Sequence, residues 1–208
     1  MKKILTKGLT VIVVVIAILG YSSTSNANTF KTLPLEGVKK LSINGNVEVI
    51  VLQAENESLN IYYSAAQDSA IMSKVGDKLS ISSNSIERLQ VVVTMVELSS
   101  IETHGDAVVR SLNTILSNEL TIVQKDKSIV DLTLDVSEVN TIINECSTLR
   151  LSGRANRQNI VVNGSSIFDA TEFKLDNNYH LSRRAKLFVN RGGERVIVRN
   201  TFRTLRNS

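Results

Sequence analysis

Residues 88–109 have the sequence RLQVVVTMVELSSIETHGDAVV, and the first half of this stretch alternates as a β-strand does. Successive side chains of a strand point to opposite faces, so a half-buried strand places an apolar residue at every second position. The apolar positions of one side are Leu89, Val91, Val93 and Met95. After a polar turn the stretch continues through Ile101, Gly105 and Val108. It therefore predicts consecutive strands separated by a corner.

The end of this stretch recurs about every twenty residues along the second half of the chain. The second apolar residue after each polar turn falls at Val108, Ile129, Leu149, Ile167 and Leu187, in steps of 21, 20, 18 and 20 residues. The turn positions are Gly105, Asp126, Cys146, Gly164 and Arg184. Short strands at this period are typical of a parallel β-solenoid, in which each coil buries its apolar side chains against the next. An antiparallel β-sandwich is the alternative, and the scarcity of Asn-Gly and Asp-Gly pairs in the repeats favours the solenoid.

The first half of the chain contains corners that the sequence leaves open. Asn44-Gly45 separates two alternating runs, and it fits either a hairpin turn or a sharp corner between strands that do not pair. Residues 64–74 lack strand alternation and predict a short helix or a loop. Gly76-Asp77 predicts a turn between strands. Pro34 indicates a lead-in segment, because proline disrupts a central strand.

Residues 1–27 have the organisation of a signal peptide, and residues 28–208 are predicted to form a single domain. Three lysines precede an apolar run from residue 9 to residue 19, and Ser25-Asn26-Ala27 provides the small residues that a signal peptidase recognises. The run is shorter than the roughly 20 residues that a membrane-spanning helix needs. We therefore expect no stable membrane span after leader removal. An uncleaved N-terminal anchor is the alternative, and in both cases the folded domain is exported.

Charge divides unevenly along the predicted domain. Residues 28–179 carry 13 Lys/Arg against 19 Asp/Glu, whereas residues 180–208 carry eight Lys/Arg against one Glu. The arginines of this basic end either protect the last edge strand from pairing with other chains or bind an anionic glycan or lipid headgroup. The candidate binding residues are Arg191, Arg195 and Arg199. Nucleic acid is not an expected partner, because the chain is predicted to be exported and carries no nucleic-acid-binding motif.

The sequence carries no recognisable catalytic or metal-binding motif, so no catalytic residue, metal or cofactor is predicted. His104 and His180 fall about four repeats apart, too far to share a metal ion. Cys146, the single cysteine, is expected to be buried, as free cysteines usually are.

One arrangement of carboxylates is relevant to a glycan-cleaving enzyme. The repeat alignment places Arg110 beside Asp131 on the neighbouring coil, as a surface ion pair. It places Asp131 and Asp169 two coils apart, at about 10 Å from the strand spacing. This separation is loosely compatible with an inverting glycosidase, although an acidic surface offers such pairs by chance.

Three segments together resemble a known family of bacterial envelope proteins, described as "putative auto-transporter adhesin, head GIN domain". They are the run VVVTMVELSSIETHGDAVV, the strand-corner-strand LSINGNVEVIVLQ and the strand KVGDKLSIS. The resemblance implies a right-handed parallel β-helix-like fold and export to the envelope of a Gram-negative bacterium, and it implies no activity. Family members often carry glycine at each turn, where this chain has Asp126, Cys146 and Arg184. Many also carry a lipidated cysteine, which this leader lacks.

These observations predict an all-β protein, a single right-handed parallel β-helix-like solenoid of short strands with about 20 residues per coil. The leading functional hypothesis is an exported, non-catalytic, adhesin-like or structural envelope module whose partner is an unknown envelope or surface component. A sensor of envelope state is the alternative, and a glycan-active enzyme is the third hypothesis. The expected location is the periplasm or the cell surface.

Overall fold

The computed structural model describes residues 31–62 and 70–175 in full, and residues 14, 15, 30, 179–182, 186–191 and 194–199 by their backbone alone. Within these residues the fold is all-β, as predicted: seventeen strands join one sheet, and no helix is present. The strands curl into a half-barrel around a common core. The predicted signal peptide lies outside the described residues, apart from a two-residue strand. Nowhere in the described part is there a helix with the length and apolar character that a membrane crossing requires.

The first half of the chain forms short strands, and the second half begins with long ones. The short strands are β1 (Val14–Val15), β2 (Phe30–Pro34), β3 (Lys40–Gly45), β4 (Val47–Gln53), β5 (Ser58–Tyr62), β6 (Ala70–Val75), β7 (Lys78–Ser83), β8 (Leu89–Met95), β9 (Ser100–His104) and β10 (Val108–Ser111). The others are β11 (Ile115–Gln124), β12 (Ile129–Ile143), β13 (Thr148–Val162), β14 (Ile167–Leu175), β15 (Tyr179–Ser182), β16 (Lys186–Arg191) and β17 (Glu194–Arg199).

The long strands stack in parallel with a constant offset. Val108 pairs with Ile129, 21 residues later, and Ile129 then pairs with Thr148 and Thr148 with Ile167, each 19 residues later. The alternation of buried side chains within β12 and β13 slips by one residue after Val136 and after Ala155. Each long strand therefore bends there, and we call residues 115–119, 134–138 and 153–157 the middle segments of β11, β12 and β13.

The predicted alignment of the repeats is wrong by one residue at Leu149 and at Leu187. Leu149 pairs with Val130, and Leu187 pairs with Phe168. Val130, Leu149 and Phe168 are buried, whereas Ile167 is exposed. Because alternate side chains of a strand lie on opposite faces, a slip of one residue exchanges the buried face for the exposed one.

The turns between stacked strands form a column of residues with positive φ. Its members have φ between 64° and 80° and are Gly45, Gly105, Asp126, Glu145 and Gly164. Glu145, rather than the predicted Cys146, occupies the glycine-like position. Cys146 follows it at the turn and is exposed, so the expectation of a buried cysteine is wrong. A turn whose backbone stacks on the preceding turn, with Cys146 N donating to Asp126 O at 3.0 Å, leaves this side chain on the outside.

Asn44-Gly45 is a corner and not a hairpin, because β3 and β4 pair with different neighbours. β3 lies between β7 and β9, and β4 lies between β8 and β10, all in parallel. A Cβ at Gly45 would collide with the backbone carbonyl of Ser83, so the stacked corner admits only glycine. The stacking order therefore differs from the chain order, since the later strands β7 and β8 lie below the earlier β3 and β4.

Antiparallel strands close both ends of the stack. β6 pairs with β7 through the predicted turn at Gly76-Asp77, so residues 70–74 form a strand, in place of the predicted helix or loop, and residues 63–69 lie outside the described part. β2 pairs with β5 and β5 with β8, which places Pro34 at the end of an edge strand. At the other end β17 pairs antiparallel with β16. These strands depart from a uniform solenoid of 20-residue coils.

Candidate binding groove

An open groove of about 740 Å³ crosses the outside of the middle segments of β11, β12 and β13. It begins at Gln53 and the Val96–Glu97 loop and ends beside Asn156. The groove thus runs across the strands, along the direction in which they stack. We call it the strand-crossing groove.

Two rows of outward-facing side chains form its floor. In the first row Leu116 pairs with Asp135 and Asp135 with Arg154. The second row follows the same 19-residue offset and consists of Asn118, Ser137 and Asn156, all of them exposed. Stacked strands lie about 4.8 Å apart, so each row presents one side chain per strand at that spacing.

The charged side chains that line the groove are already paired. Arg154 donates from Nε to Asp135 Oδ1 at 2.9 Å and from Nη2 to Asp135 Oδ2 at 2.7 Å. This bidentate hydrogen bonding lowers the pKa of Asp135. Lys39 Nζ lies 2.6 Å from Glu97 Oε2, and the hydrogen bond to Glu97 raises the pKa of Lys39. The floor consequently carries little net charge.

Gln53 closes one end of the groove by taking the place of a neighbouring strand. Its side-chain amide accepts a hydrogen bond from Leu116 N at 2.6 Å and donates to Leu116 O at 3.0 Å and to Val96 O at 2.8 Å. Asn113 fixes the backbone of Gln53 by a reciprocal pair of hydrogen bonds at 3.0 and 2.8 Å. The side chains of Val96 and Leu116, 53% and 57% exposed, form an apolar rim at this end.

The predicted ion pair between Arg110 and Asp131 is confirmed, at 3.4 Å, and Arg110 also lies 3.3 Å from Glu48. Asp131 and Asp169 lie two strands apart, as predicted. An arginine, Arg150, occupies the strand between them in place of the leucine that the alignment placed there. The column alternates in charge, and its carboxylates face guanidinium groups.

The remaining predicted residues do not converge on a site. His104 Nε2 lies 3.2 Å from Glu102 Oε1, and among the described residues no group of three or more His, Cys, Asp or Glu side chains could hold a metal ion. The side chain of His180 lies outside the described residues, as do those of the three candidate arginines. In the backbone pairing, Arg195 faces Asn190 and Arg199 faces Lys186. Both interpretations of the basic end remain predictions.

The strand-crossing groove was not found from the sequence, although a signal for it exists. Asn118, Ser137 and Asn156 recur at the 19-residue offset, each one residue after an inward-facing position and immediately before a charged residue. An alignment on apolar residues passes over such a row, because the bend that follows each of its members interrupts the alternation.

The comparisons with known proteins establish the family. The chain belongs to the family described as "Putative auto-transporter adhesin, head GIN domain", which matches residues 38–180. The resemblance noted in the sequence is thereby confirmed. No curated protein matches the chain.

Solved structures share the fold at low sequence identity. A putative adhesin from Bacteroides fragilis has 15% identity and a TM-score of 0.68, over 79% of this chain and 80% of that one. A putative adhesin from Parabacteroides merdae has 13% identity and a TM-score of 0.55, over 77% and 80%. A protein from Parabacteroides distasonis described as a putative lipid binding protein has 13% identity and a TM-score of 0.57, over 79% and 82%.

Proposed function

We propose that the protein is an exported, non-catalytic, adhesin-like module that binds its ligand in the strand-crossing groove. The observation that carries this proposal is the groove itself: a preformed polar surface on a rigid sheet, with its charged side chains internally paired. Ligand sites are concave and largely preformed, and a scaffold of stacked strands holds its side chains in fixed positions. Family membership supports an adhesin-like role.

Binding is favoured over catalysis by the state of the carboxylates. General acid catalysis requires a carboxyl group whose pKa is raised towards neutral pH. Asp135, the carboxylate in the centre of the groove, has its pKa lowered by Arg154, the opposite direction. Asp131 faces Arg110 in the same way. These contacts make each carboxylate a partner of an arginine and a poor proton donor.

The finer architecture and the location form part of the same proposal. The parallel pairing at 19-residue offsets supports a right-handed β-solenoid of about 20 residues per coil in the second half of the chain. The predicted leader and the family description support export to the periplasm or the surface of a Gram-negative cell.

The test is binding of the purified full chain, fluorescently labelled, to immobilised cell envelopes and to mucin-coated plates. Two matched variants place a tryptophan on an exposed strand position: Ser137→Trp fills the groove, and Gln90→Trp lies on β8, outside it. We expect saturable binding of the wild type and of Gln90→Trp, and loss of binding for Ser137→Trp. Absence of binding to both surfaces, or equal binding by all three proteins, would overturn the proposal.

A further inference from the structure

We infer that the ligand of the strand-crossing groove is a linear, uncharged glycan lying along the stacking direction across β11, β12 and β13. The inference rests on the proposed function, since it names the ligand class of that same groove. It depends on three properties of the groove: unpaired neutral side chains, paired charges and an occupied strand edge.

The neutral row of the floor is unpaired, unlike other polar rows of the fold. Within the described residues, the side chains of Asn118, Ser137 and Asn156 make no hydrogen bond to protein. Elsewhere on the same strands, Asn159 donates to Asn140 at 2.8 Å, and Asn163 donates to Asn144 at 2.8 Å. Stacked asparagines of this fold therefore bond to one another when nothing else is required of them. The groove row keeps its donors and acceptors available.

The available groups suit hydroxyl-bearing ligands. A carboxamide offers two donors and one acceptor, and a serine hydroxyl both donates and accepts. Sugar hydroxyls also donate and accept, so each can pair with either kind of side chain. A linear glycan running along the stack meets one such side chain at every strand, and its apolar ring faces can rest on the exposed side chains of Val96 and Leu116.

The paired charges favour an uncharged chain over an anionic one. Arg154 is held in a bidentate contact with Asp135, and Glu97 is held by Lys39. A carboxylate or sulfate group in the groove would have to draw Arg154 from Asp135 and leave that carboxylate facing a second anion. Charge-assisted bidentate hydrogen bonds are among the strongest that proteins make, so this exchange is unfavourable.

The occupied strand edge disfavours an extended peptide. Peptides commonly bind such folds by adding a strand to an open edge. At the lower edge of β11, the backbone N–H and C=O of Leu116 are both bonded to the side chain of Gln53. A peptide strand would have to displace this amide, whereas a glycan crossing the strands leaves it in place.

The test measures binding of the full chain to neutral and anionic linear hexasaccharides by calorimetry. The neutral probes are the hexamers of β-1,4-linked glucose, mannose and N-acetylglucosamine, and the anionic probes are hexagalacturonate and a heparin hexasaccharide. We expect at least one neutral probe to bind, with an affinity that is the same at low and high salt, because no ionic contact is involved. Asn156→Ala should weaken that binding by about fivefold, the loss of one hydrogen bond. Ser137→Trp should abolish it, and Gln90→Trp should not change it.

Binding of the anionic probes alone, weakened by salt, would overturn the inference. Loss of that binding on replacing Arg191, Arg195 and Arg199 together by glutamine would move the glycan site to the basic end. Failure of every hexasaccharide to bind, with groove-dependent binding to envelopes or mucin intact, would refute the glycan class and leave the proposed function standing. Neutral binding that survives in Ser137→Trp would refute the groove as the glycan site.

Discussion

Thr141→Val should stabilise the protein, because it removes a buried hydroxyl that has no partner. Thr141 is 2% exposed, and within the described residues its Oγ1 has no hydrogen-bond partner. It pairs with Ile122 on one side and Ile160 on the other, both fully or almost fully buried. Valine has the same branched shape and places a methyl group where the hydroxyl stands.

The expected gain follows from two contributions. Burial of an unsatisfied hydroxyl costs about 1–3 kcal/mol, and a buried methyl group contributes about 0.8 kcal/mol of transfer free energy. Allowing for relaxation around the site, we expect the free energy of unfolding to rise by about 1–2 kcal/mol. With a urea dependence of about 2 kcal/mol/M, the unfolding midpoint should rise by about 0.5–1 M. Urea titration of the purified chain, followed by far-ultraviolet circular dichroism, measures this shift.

Thr103→Val is the matched control, with the same substitution at a buried threonine. Thr103 is 0% exposed, and its Oγ1 donates to Ser128 Oγ at 2.9 Å. Removing this donor leaves the buried Ser128 hydroxyl without that partner, so the midpoint should fall by a similar amount. A rise for Thr141→Val with a fall for Thr103→Val fits the reasoning. A fall for both variants, or no change in either, would refute it.

Three further predictions concern the backbone, pH and the basic end. Gly153 has φ 95°, and a Cβ there would collide with the carbonyl of Leu134, so Gly153→Ala should lower the free energy of unfolding by about 2 kcal/mol or more in the same urea titration. The hydrogen bond from His104 lowers the pKa of Glu102, so its contribution to stability is present above the ordinary pKa of a glutamate and is lost as pH falls through the lowered value. Glu102→Gln should therefore flatten the acid limb of a plot of unfolding midpoint against pH, and an unchanged limb would exclude this contribution. Glutamine at all three candidate arginines should reduce retention on heparin resin without changing the urea midpoint if they bind anions, whereas aggregation without a change in retention would support edge protection; the residues are Arg191, Arg195 and Arg199.

Much of the architecture was predictable because it depends on local pattern. Alternation in residues 88–95 predicted a strand, and the side chains expected on its inner face, such as Leu89 and Val91, are buried. The recurrence near twenty residues predicted strands that pair with equivalents one repeat away, and Val108 does pair with Ile129. Short segments were also sufficient for the family. Periodicity and turn chemistry are properties of neighbouring residues, so a single sequence carries them.

The tertiary structure alone decided the register and the order of stacking. Apolar residues occur on both faces near each turn, so Leu149 and Ile129 align by type although Thr148 is the true partner of Ile129. Backbone hydrogen bonds, which are blind to side-chain identity, choose the 19-residue offset. In the same way, Glu145 takes the positive-φ position that composition assigned to Cys146. The placement of β7 below β3 depends on contacts between residues about 40 positions apart, which no local pattern encodes.

The groove also belongs to the tertiary structure. Its floor combines Asn118, Ser137 and Asn156 from three strands, and Gln53 closes it from more than 60 residues away in the chain. The sequence by itself determined which segments become strands and the family to which they belong. Only the stacking of those strands decided which polar side chains meet in one groove and which charges neutralise each other. The physical reason is that a parallel stack brings together residues one repeat apart, and a change of one residue in the offset would place different side chains in the row.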